Sequence, residues 1–382
     1  MTGTADTLVI GAGPAGLAVG AVLRRANLPF TILERSSQVG ASWRRHYESI
    51  HLHTAKGFSA LPFHPYPREY PRYPSRLQFI EYLEGYARQF DLTPEFGVEV
   101  EKIRGTGNGG WETSTTAGRY DSQRVVVATG AYDVPRLPGF PGQQSFPGRI
   151  LHSAEYVNGA AFRGQRVLVV GFGSSGGEIA VDLCRQGAHV SLSLRSPVTV
   201  VPRQVLGIPN TAFAIACRPL PPKIADLLNA PTIRLTIGDL SRYGIRKRKD
   251  GPFTEMYKEF HVPVVDVGII DLVKRGVVVA RPAIQRIEGG QVVFGGGETD
   301  TFDSIILATG YESGLRRLFD EESPALNPAG YPAASGGRPP VPGLYFCGFY
   351  NVPTGLLREI GIEAKRIGAA IERARRKHDA AA

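Results

Sequence analysis

The 382-residue chain contains only three cysteines, Cys184, Cys217 and Cys347, and they lie far apart in the sequence. No two of them form a Cys-x-x-Cys pair, so a redox-active dithiol is not expected. An odd and sparse set of cysteines fits a reducing compartment better than a disulfide framework. Because the N-terminus also lacks the basic start of a signal peptide, we predict a cytoplasmic protein.

Long apolar segments are also missing. No stretch is long and apolar enough to cross a bilayer, so a membrane partner is not predicted. The last segment, about 356–377, alternates apolar and charged residues at helical spacing, and we interpret it as a packed amphipathic helix. No Ser-His-Asp triad or metal-ligating cluster has convincing spacing, so neither hydrolase chemistry nor a bound metal is predicted.

Acidic residues are outnumbered: 35 Asp and Glu stand against 44 Lys and Arg, giving a formal net charge of +9. A positive field gathers polyanions, of which a dinucleotide phosphate is one and nucleic acid another. The one dense basic run, at Arg242 and 246–249, is interpreted as a solvated loop. Because no nucleic-acid reader motif is present, nucleic acid is not a predicted partner.

A glycine-rich motif follows directly on the first apolar strand, predicted at 7–10, and a helix predicted at 17–25 comes next. The motif is Gly11-Ala12-Gly13-Pro14-Ala15-Gly16. A second strand, predicted at 30–33, ends at Glu34, which completes the order of a dinucleotide-binding unit. The glycines permit a tight turn, close approach of the pyrophosphate and helix packing. Glu34 can accept from ribose hydroxyls and would repel a 2′-phosphate, so this site favours FAD or NAD.

A second unit of the same kind begins with an apolar strand predicted at 166–170. Its motif is Gly171-Phe172-Gly173-Ser174-Ser175-Gly176, followed by a predicted helix and a strand at 189–194. Here the strand ends in Arg195 and Ser196 instead of an acid. Guanidinium matches phosphate in charge and geometry, so Arg195 is the candidate reader of the 2′-phosphate of NADPH. The alternative is an arginine that merely points into solvent.

Two such units in one chain indicate electron transfer between two nucleotides. We predict an α/β fold with two Rossmann-like domains, the NADPH domain (159–309) inserted into the FAD domain (1–158 and 310–382). Two similar segments, 125–130 and 305–310, each form a buried strand that ends where the chain passes near a nucleotide. They bring Thr129 and Gly130 to the FAD site, and Thr309 and Gly310 to the NADPH site.

A segment between the two units, 146–156, matches the F-x-G-x-x-x-H-x-x-x-Y fingerprint through Phe146, Gly148, His152 and Tyr156. The chain therefore resembles the flavin-containing (class B) monooxygenases, and most of all their bacterial and YUCCA-like members. Further short matches at 73–80, 128–130, 307–311 and 343–349 extend the resemblance over nearly the whole chain. Tyr156 favours the amine- and sulfide-oxygenating groups, since Baeyer–Villiger members typically carry Trp there.

The resemblance implies a chemical cycle with FAD and NADPH as cofactors. NADPH reduces FAD, oxygen adds as a C(4a)-hydroperoxyflavin, and one oxygen atom passes to a small substrate while the other leaves as water. The expected substrate is a small amine or thioether, or a 2-oxo acid such as indole-3-pyruvate. The alternatives are an NADPH oxidase or flavin reductase that makes hydrogen peroxide, and a Baeyer–Villiger monooxygenase. A homodimer is a further family expectation.

The resemblance also assigns site residues. Beyond the glycine motif and Glu34, the FAD contacts it implies are Arg35, Trp43 of a G-x-x-W loop, His51, His53, Val100, Thr129, Gly130, Gly348 and Leu356. His53 falls where many members place an asparagine beside the flavin, so it either donates a hydrogen bond to the reacting groups or fills space. His152 is the second catalytic candidate, with a linking or gating role expected because it lies at the domain junction.

Two departures from the family pattern concern the substrate. The second glycine motif has Ser174 where YUCCA-like chains often have Asn. The run 350–358 differs from the family's shorter loop near the flavin. The Pro-, Leu- and Arg-rich segment at about 205–263 is expected to cover the active site. Within it, Phe213, Leu227 and Leu228 either line a pocket or form core, and core is the expectation.

Overall fold

The computed structural model of the chain describes residues 2–259 and 261–379. Residues 1 and 380–382, which the sequence assigns to the FAD domain, and residue 260, which it assigns to the NADPH domain, lie outside the described residues. Within the described part, no helix is both long and apolar enough to cross a membrane.

Strands and helices alternate along most of the chain. The strands are β1 Thr2–Ile10, β2 Thr31–Glu34, β3 Glu95–Phe96, β4 Val100–Gly105, β5 Trp111–Thr115, β6 Gly118–Val127, β7 Val134–Pro135, β8 Arg149–His152, β9 Arg166–Val170, β10 His189–Ser193, β11 Val200–Pro202, β12 Gln204–Val205, β13 Ile208–Pro209, β14 Val264–Asp266, β15 Val278–Arg281, β16 Ile284–Glu288, β17 Gln291–Phe294, β18 Thr299–Thr301, β19 Ser304–Leu307, β20 Tyr311–Glu312 and β21 Leu344–Phe346. The helices are α1 Pro14–Arg25, α2 Ala41–Arg44, α3 Lys56–Ser59, α4 Arg76–Gln89, α5 Ser174–Arg185, α6 Asn210–Ala216, α7 Pro222–Thr236, α8 Pro252–Thr254, α9 Ile269–Lys274 and α10 Leu356–Asp379.

The first sheet has seven strands in the order β3-β2-β1-β6-β5-β4, with β21 also paired to β6. β2, β1, β6 and β21 run parallel, whereas β4, β5 and β6 form an antiparallel meander. β1 is central, and its residues Leu8 and Val9 are fully buried because helices cover one face and the 315–350 region covers the other. α1 packs against the C-terminal helix α10.

The second sheet has five strands, all parallel, in the order β15-β10-β9-β19-β8. Its central strands β9 and β19 are continuous apolar runs, as expected where both faces of a parallel sheet are covered. β8 precedes residue 158, where the sequence places the domain boundary, yet it pairs with β19 in this second sheet. Strand pairing therefore favours a boundary before β8.

The chain crosses between the sheets twice, after β6 and after β19. The two crossing segments pair with each other as the short antiparallel strands β7 and β20, in which Tyr311 lies opposite Pro135 and Glu312 opposite Val134. The two similar segments, 125–130 and 305–310, therefore both lead into a single junction between the sheets.

The segment expected to cover the active site contains the β12–β13 hairpin, α6 and α7. Phe213 packs beside a small core of Ala214, Cys217, Ala225 and Phe253. The expectation of core positions is wrong for Leu227 and Leu228, which are 73% and 52% exposed. The reason is helical phase: α7 buries Ala225, Asn229 and Ile233, at intervals of four, and turns the two leucines outward.

The cysteines are free; Cys217 and Cys347 are buried and Cys184 is partly buried. Burial raises the pKa of all three thiols, that of Cys184 to about 11. They are therefore protonated at neutral pH, which does not favour a nucleophilic role.

Candidate active site

A cavity of about 670 Å³ lies between the two sheets and extends under the 200–263 segment. It brings together every predicted FAD contact except Gly16, and it also reaches the second glycine motif. The predicted residues that line it are Gly11, Gly13, Pro14, Ala15, Glu34, Arg35, Trp43, His51, His53, Val100, Thr129, Gly130, Gly348 and Leu356 from the FAD set, with Gly173, Ser174, Ser175 and Gly310 from the NADPH set. The predicted FAD contacts and part of the predicted NADPH set thus line a single cavity.

The first glycine motif forms a turn that only glycine fits. Gly11 has a φ of +105°, which L side chains rarely adopt, and a Cβ built on Gly16 would lie 1.8 Å from the Gly11 carbonyl oxygen. α1 therefore starts in direct contact with the turn, and its first amide groups face the cavity. Gly13 has nothing within 4 Å of its Cβ position, so space for a phosphate remains above it.

Glu34 at the end of β2 completes this cradle. Its Oε2 accepts a hydrogen bond of 2.7 Å from the Ala12 amide, and Oε1 accepts from the amide and hydroxyl of Ser36. These bonds fix the carboxylate beside the glycine turn, at the cavity wall. A ribose is the part of a dinucleotide that a carboxylate in this place suits.

The second glycine motif repeats the geometry. Gly171 has a φ of +104°, and a Cβ on Gly176 would lie 2.0 Å from the Gly171 carbonyl oxygen. Gly173, at the start of α5, again has nothing within 4 Å of its Cβ position. Each cradle fits one dinucleotide pyrophosphate, so the residues present suit two nucleotides.

Arg195 and Ser196 lie outside the cavity. They follow β10, whose Ser193 carbonyl accepts a bond of 2.9 Å from the Gly171 amide, and both are exposed. No described carboxylate forms an ion pair with Arg195. The 2′-phosphate belongs to the adenosine half of NADPH, away from the reactive ring, so this position suits the predicted role, which stays a prediction.

The two histidines proposed for catalysis have different surroundings. His53 lines the cavity, and its Nε2 contacts Glu178 of α5. His152 is only 1% exposed, does not line the cavity and packs edge-to-face on Tyr311 at 5.0 Å. Burial lowers the pKa of His152, which disfavours a charged acid there. Its place beside β20 suits the linking role better than proton transfer.

Three residues in or next to the cavity have no sequence motif that assigned them to the site in advance. Arg203 and Asn229 line the end of the cavity under the 200–263 segment, and Glu178 lies behind His53. No motif marks Arg203 or Asn229, because the fold brings them to the cavity from distant segments. Glu178 carries a local signal: it is one helical turn after Ser174, so it shares a face with that motif residue.

Comparisons with known proteins agree with this geometry. A family described as pyridine nucleotide-disulphide oxidoreductase matches residues 8–204. The indole-3-pyruvate monooxygenase YUCCA1 of Oryza sativa subsp. japonica is 39% identical over 353 residues, covering 90% of this chain and 86% of that protein. YUCCA6 of Arabidopsis thaliana, also an indole-3-pyruvate monooxygenase, is 36% identical over 378 residues, covering 96% and 90%.

The chain belongs to the flavin-containing monooxygenase family.

Solved structures show the same fold for this monooxygenase. A flavin-containing monooxygenase from Stenotrophomonas maltophilia superposes with a TM-score of 0.74 at 23% identity, covering 97% of this chain and 99% of that one. An NADP⁺-bound cyclohexanone monooxygenase from Rhodococcus sp. Phi1 gives 0.73 at 19% identity, covering 98% and 85%. The predicted family, fold class, enzyme class and cofactors, FAD and NADPH, are confirmed; the individual site residues stay predictions.

The glycine geometry predicts opposite outcomes for neighbouring substitutions. We expect Gly16→Ala to prevent stable folding of the first domain, because its Cβ would overlap a backbone oxygen that cannot move away. Gly13→Ala should leave the fold intact, as judged by circular dichroism, but weaken FAD retention by crowding the pyrophosphate. Retained fold and FAD in Gly16→Ala would contradict this geometry.

From the position of Arg195 we predict that the monooxygenase prefers NADPH to NADH. Replacing it with Gln should weaken NADPH binding about 10–100-fold, the range for a lost charge-assisted contact, and leave NADH binding unchanged. The measurement is the dissociation constant of each nucleotide for the oxidised enzyme. Arg185→Gln, in the last turn of α5, is the matched control. An equal effect of Arg195→Gln on both nucleotides would refute the assignment.

Proposed function

We propose that the monooxygenase oxidatively decarboxylates an apolar 2-oxo acid such as indole-3-pyruvate. The balanced reaction joins the 2-oxo acid, O₂, NADPH and H⁺ to give a carboxylic acid one carbon shorter, CO₂, water and NADP⁺. The relatives named as indole-3-pyruvate monooxygenases support this substrate class over an amine or thioether.

The observation that carries the proposal is Arg203. Its guanidinium lies 4.3 Å from the centre of the Tyr73 ring, and its side chain lines the cavity. No carboxylate among the described residues pairs with it. A cation held over an aromatic face and left without an anion suits the carboxylate of a 2-oxo acid. An ammonium substrate would be repelled there.

Asn229 offers a second polar contact. It is 2% exposed, lines the cavity, and its Nδ2 has no hydrogen-bond partner among the described residues. A buried donor without a partner is costly, so a ligand oxygen is the natural acceptor. Most of the other lining residues at this end are apolar, among them Ala214, Phe253, Met256, Val262 and Val265, although Asn210 and Thr211 line the cavity too. Such a wall fits an apolar or aromatic substrate body.

When bound, FAD and NADPH supply the two electrons and the activation of dioxygen. This chain's residues hold, orient and protect them. The amide groups at the starts of α1 and α5 bind the phosphates, and Glu34 holds a ribose. The apolar walls exclude water, which is the condition for transferring oxygen to a substrate instead of releasing peroxide.

We also infer the domain organisation from strand pairing. The FAD domain comprises about 2–148 and 310–379, and the NADPH domain about 149–309, with β7 and β20 at the junction. This moves the boundary predicted at 158 ahead of β8. A cytoplasmic location and a homodimer stay predictions from the sequence.

The role of Arg203 is tested by Arg203→Gln. Loss of a charge-assisted bond should raise the KM for indole-3-pyruvate about 10–100-fold and leave the KM for NADPH unchanged. Arg218→Gln is the control, because Arg218 lies in the same segment but pairs with Glu359 at 3.7 Å and does not line the cavity. If the wild type converts amines or thioethers and not 2-oxo acids, the proposal is wrong.

A further inference from the structure

We infer that Glu178 is a positioning residue that keeps His53 protonated and fixes the direction of its ring, acting from the opposite domain. The inference rests on the proposed function, since it takes His53 to face the reacting groups. Glu178 lies on α5, behind the second glycine motif, whereas His53 belongs to the segment that follows β2 and α2 in the first domain. Their contact therefore spans the domain interface.

The contact is between His53 Nε2 and Glu178 Oε1. The side chain of Glu178 is only 7% exposed and that of His53 is 25% exposed. A buried carboxylate is unfavourable unless it is paired, and His53 is its cationic partner among the described residues. The pair is therefore most stable with His53 as imidazolium.

The charges around His53 favour the same state. Desolvation opposes the charged ring and Arg203 repels it, but the Glu178 carboxylate outweighs both, so the pKa of His53 is raised. His46 shows the contrast: Glu178 favours its charged form too, but burial outweighs this and lowers its pKa. Burial and the nearby Glu178 carboxylate raise the pKa of the Tyr47 hydroxyl, so it stays protonated.

This arrangement leaves the other ring nitrogen for the cavity. His53 Nδ1 has no hydrogen-bond partner among the described residues, and the ring lines the cavity wall. An imidazole whose one nitrogen is held by a carboxylate has a fixed orientation, and when the ring is protonated its second nitrogen is a directed donor. The sequence predicts that His53 takes the position of the family's asparagine, and here a carboxylate contacts it.

The sign of the pH dependence follows from the raised pKa. The stabilisation from the pair is complete below the unfolded-state pKa of about 6.5 and is lost as the pH rises through the higher folded-state pKa. Above that pKa, Nδ1–H donation is no longer assured and Glu178 is a buried charge without a cation. We therefore expect peroxide release to increase with pH through the same interval.

The direct test is an NMR titration of the imidazole nitrogens in the FAD-loaded protein, with His53 assigned from His53→Gln. In the wild type the pKa of His53 should lie above 6.5. In Glu178→Gln it should fall below the wild-type value by a unit or more, roughly a tenfold change in proton affinity. Glu84→Gln, which removes a partly exposed carboxylate of α4 paired with Arg44, should leave the titration unchanged.

A second readout is the share of oxidised NADPH that appears as hydrogen peroxide. At neutral pH, Glu178→Gln should release a larger share of peroxide than the wild type does. The share should approach the one that the wild type shows at high pH, and the KM for NADPH should be unchanged. An ordinary or lowered pKa of His53 in the wild type overturns the inference even if Glu178→Gln does not fold. The titration needs no substrate, so failure of the 2-oxo acid proposal would show separately, in the substrate assay.

Discussion

The contact of a helix with a glycine turn, made twice, is the constraint on which the structure depends. In each domain the Cβ position of the last motif glycine lies far inside van der Waals contact with a backbone oxygen, at 1.8 Å for Gly16 and 2.0 Å for Gly176. Because no side chain can enter, α1 and α5 begin directly above strands β1 and β9. Their first residues then line one cavity.

The junction between the two domains also shapes the cavity. The chain leaves the first sheet after β6 and returns after β19, and the pairing of β7 with β20 holds both crossings together. Loop residues of the first domain thereby reach the second: Tyr47 packs in the second domain's core, and His53 contacts α5. A cavity walled by both domains allows hydride transfer between two nucleotides that are bound by separate folds.

Much of this was predictable from local sequence. The glycine motifs, their flanking strands and Glu34 predicted two Rossmann-like domains because each turn depends on residues within about 25 positions. The pairing of β8 with β19 could not be read from the sequence, because a short strand gives no local sign of its partner. Leu227 and Leu228 were wrongly expected in the core, since a leucine-rich helix does not reveal which face is covered. Arg203, Asn229 and the partnership of Glu178 with His53 depend on long-range packing that one sequence does not encode visibly.

The proposed reaction joins two electrons from NADPH, dioxygen and a 2-oxo acid in one cavity. The most direct measurement is turnover of indole-3-pyruvate under ¹⁸O₂, with NADPH consumption, carbon dioxide and peroxide followed together. We predict one ¹⁸O atom in the product carboxylate and carbon dioxide equal to the NADPH consumed. Consumption of NADPH with stoichiometric hydrogen peroxide and no labelled acid would contradict the account and identify an NADPH oxidase.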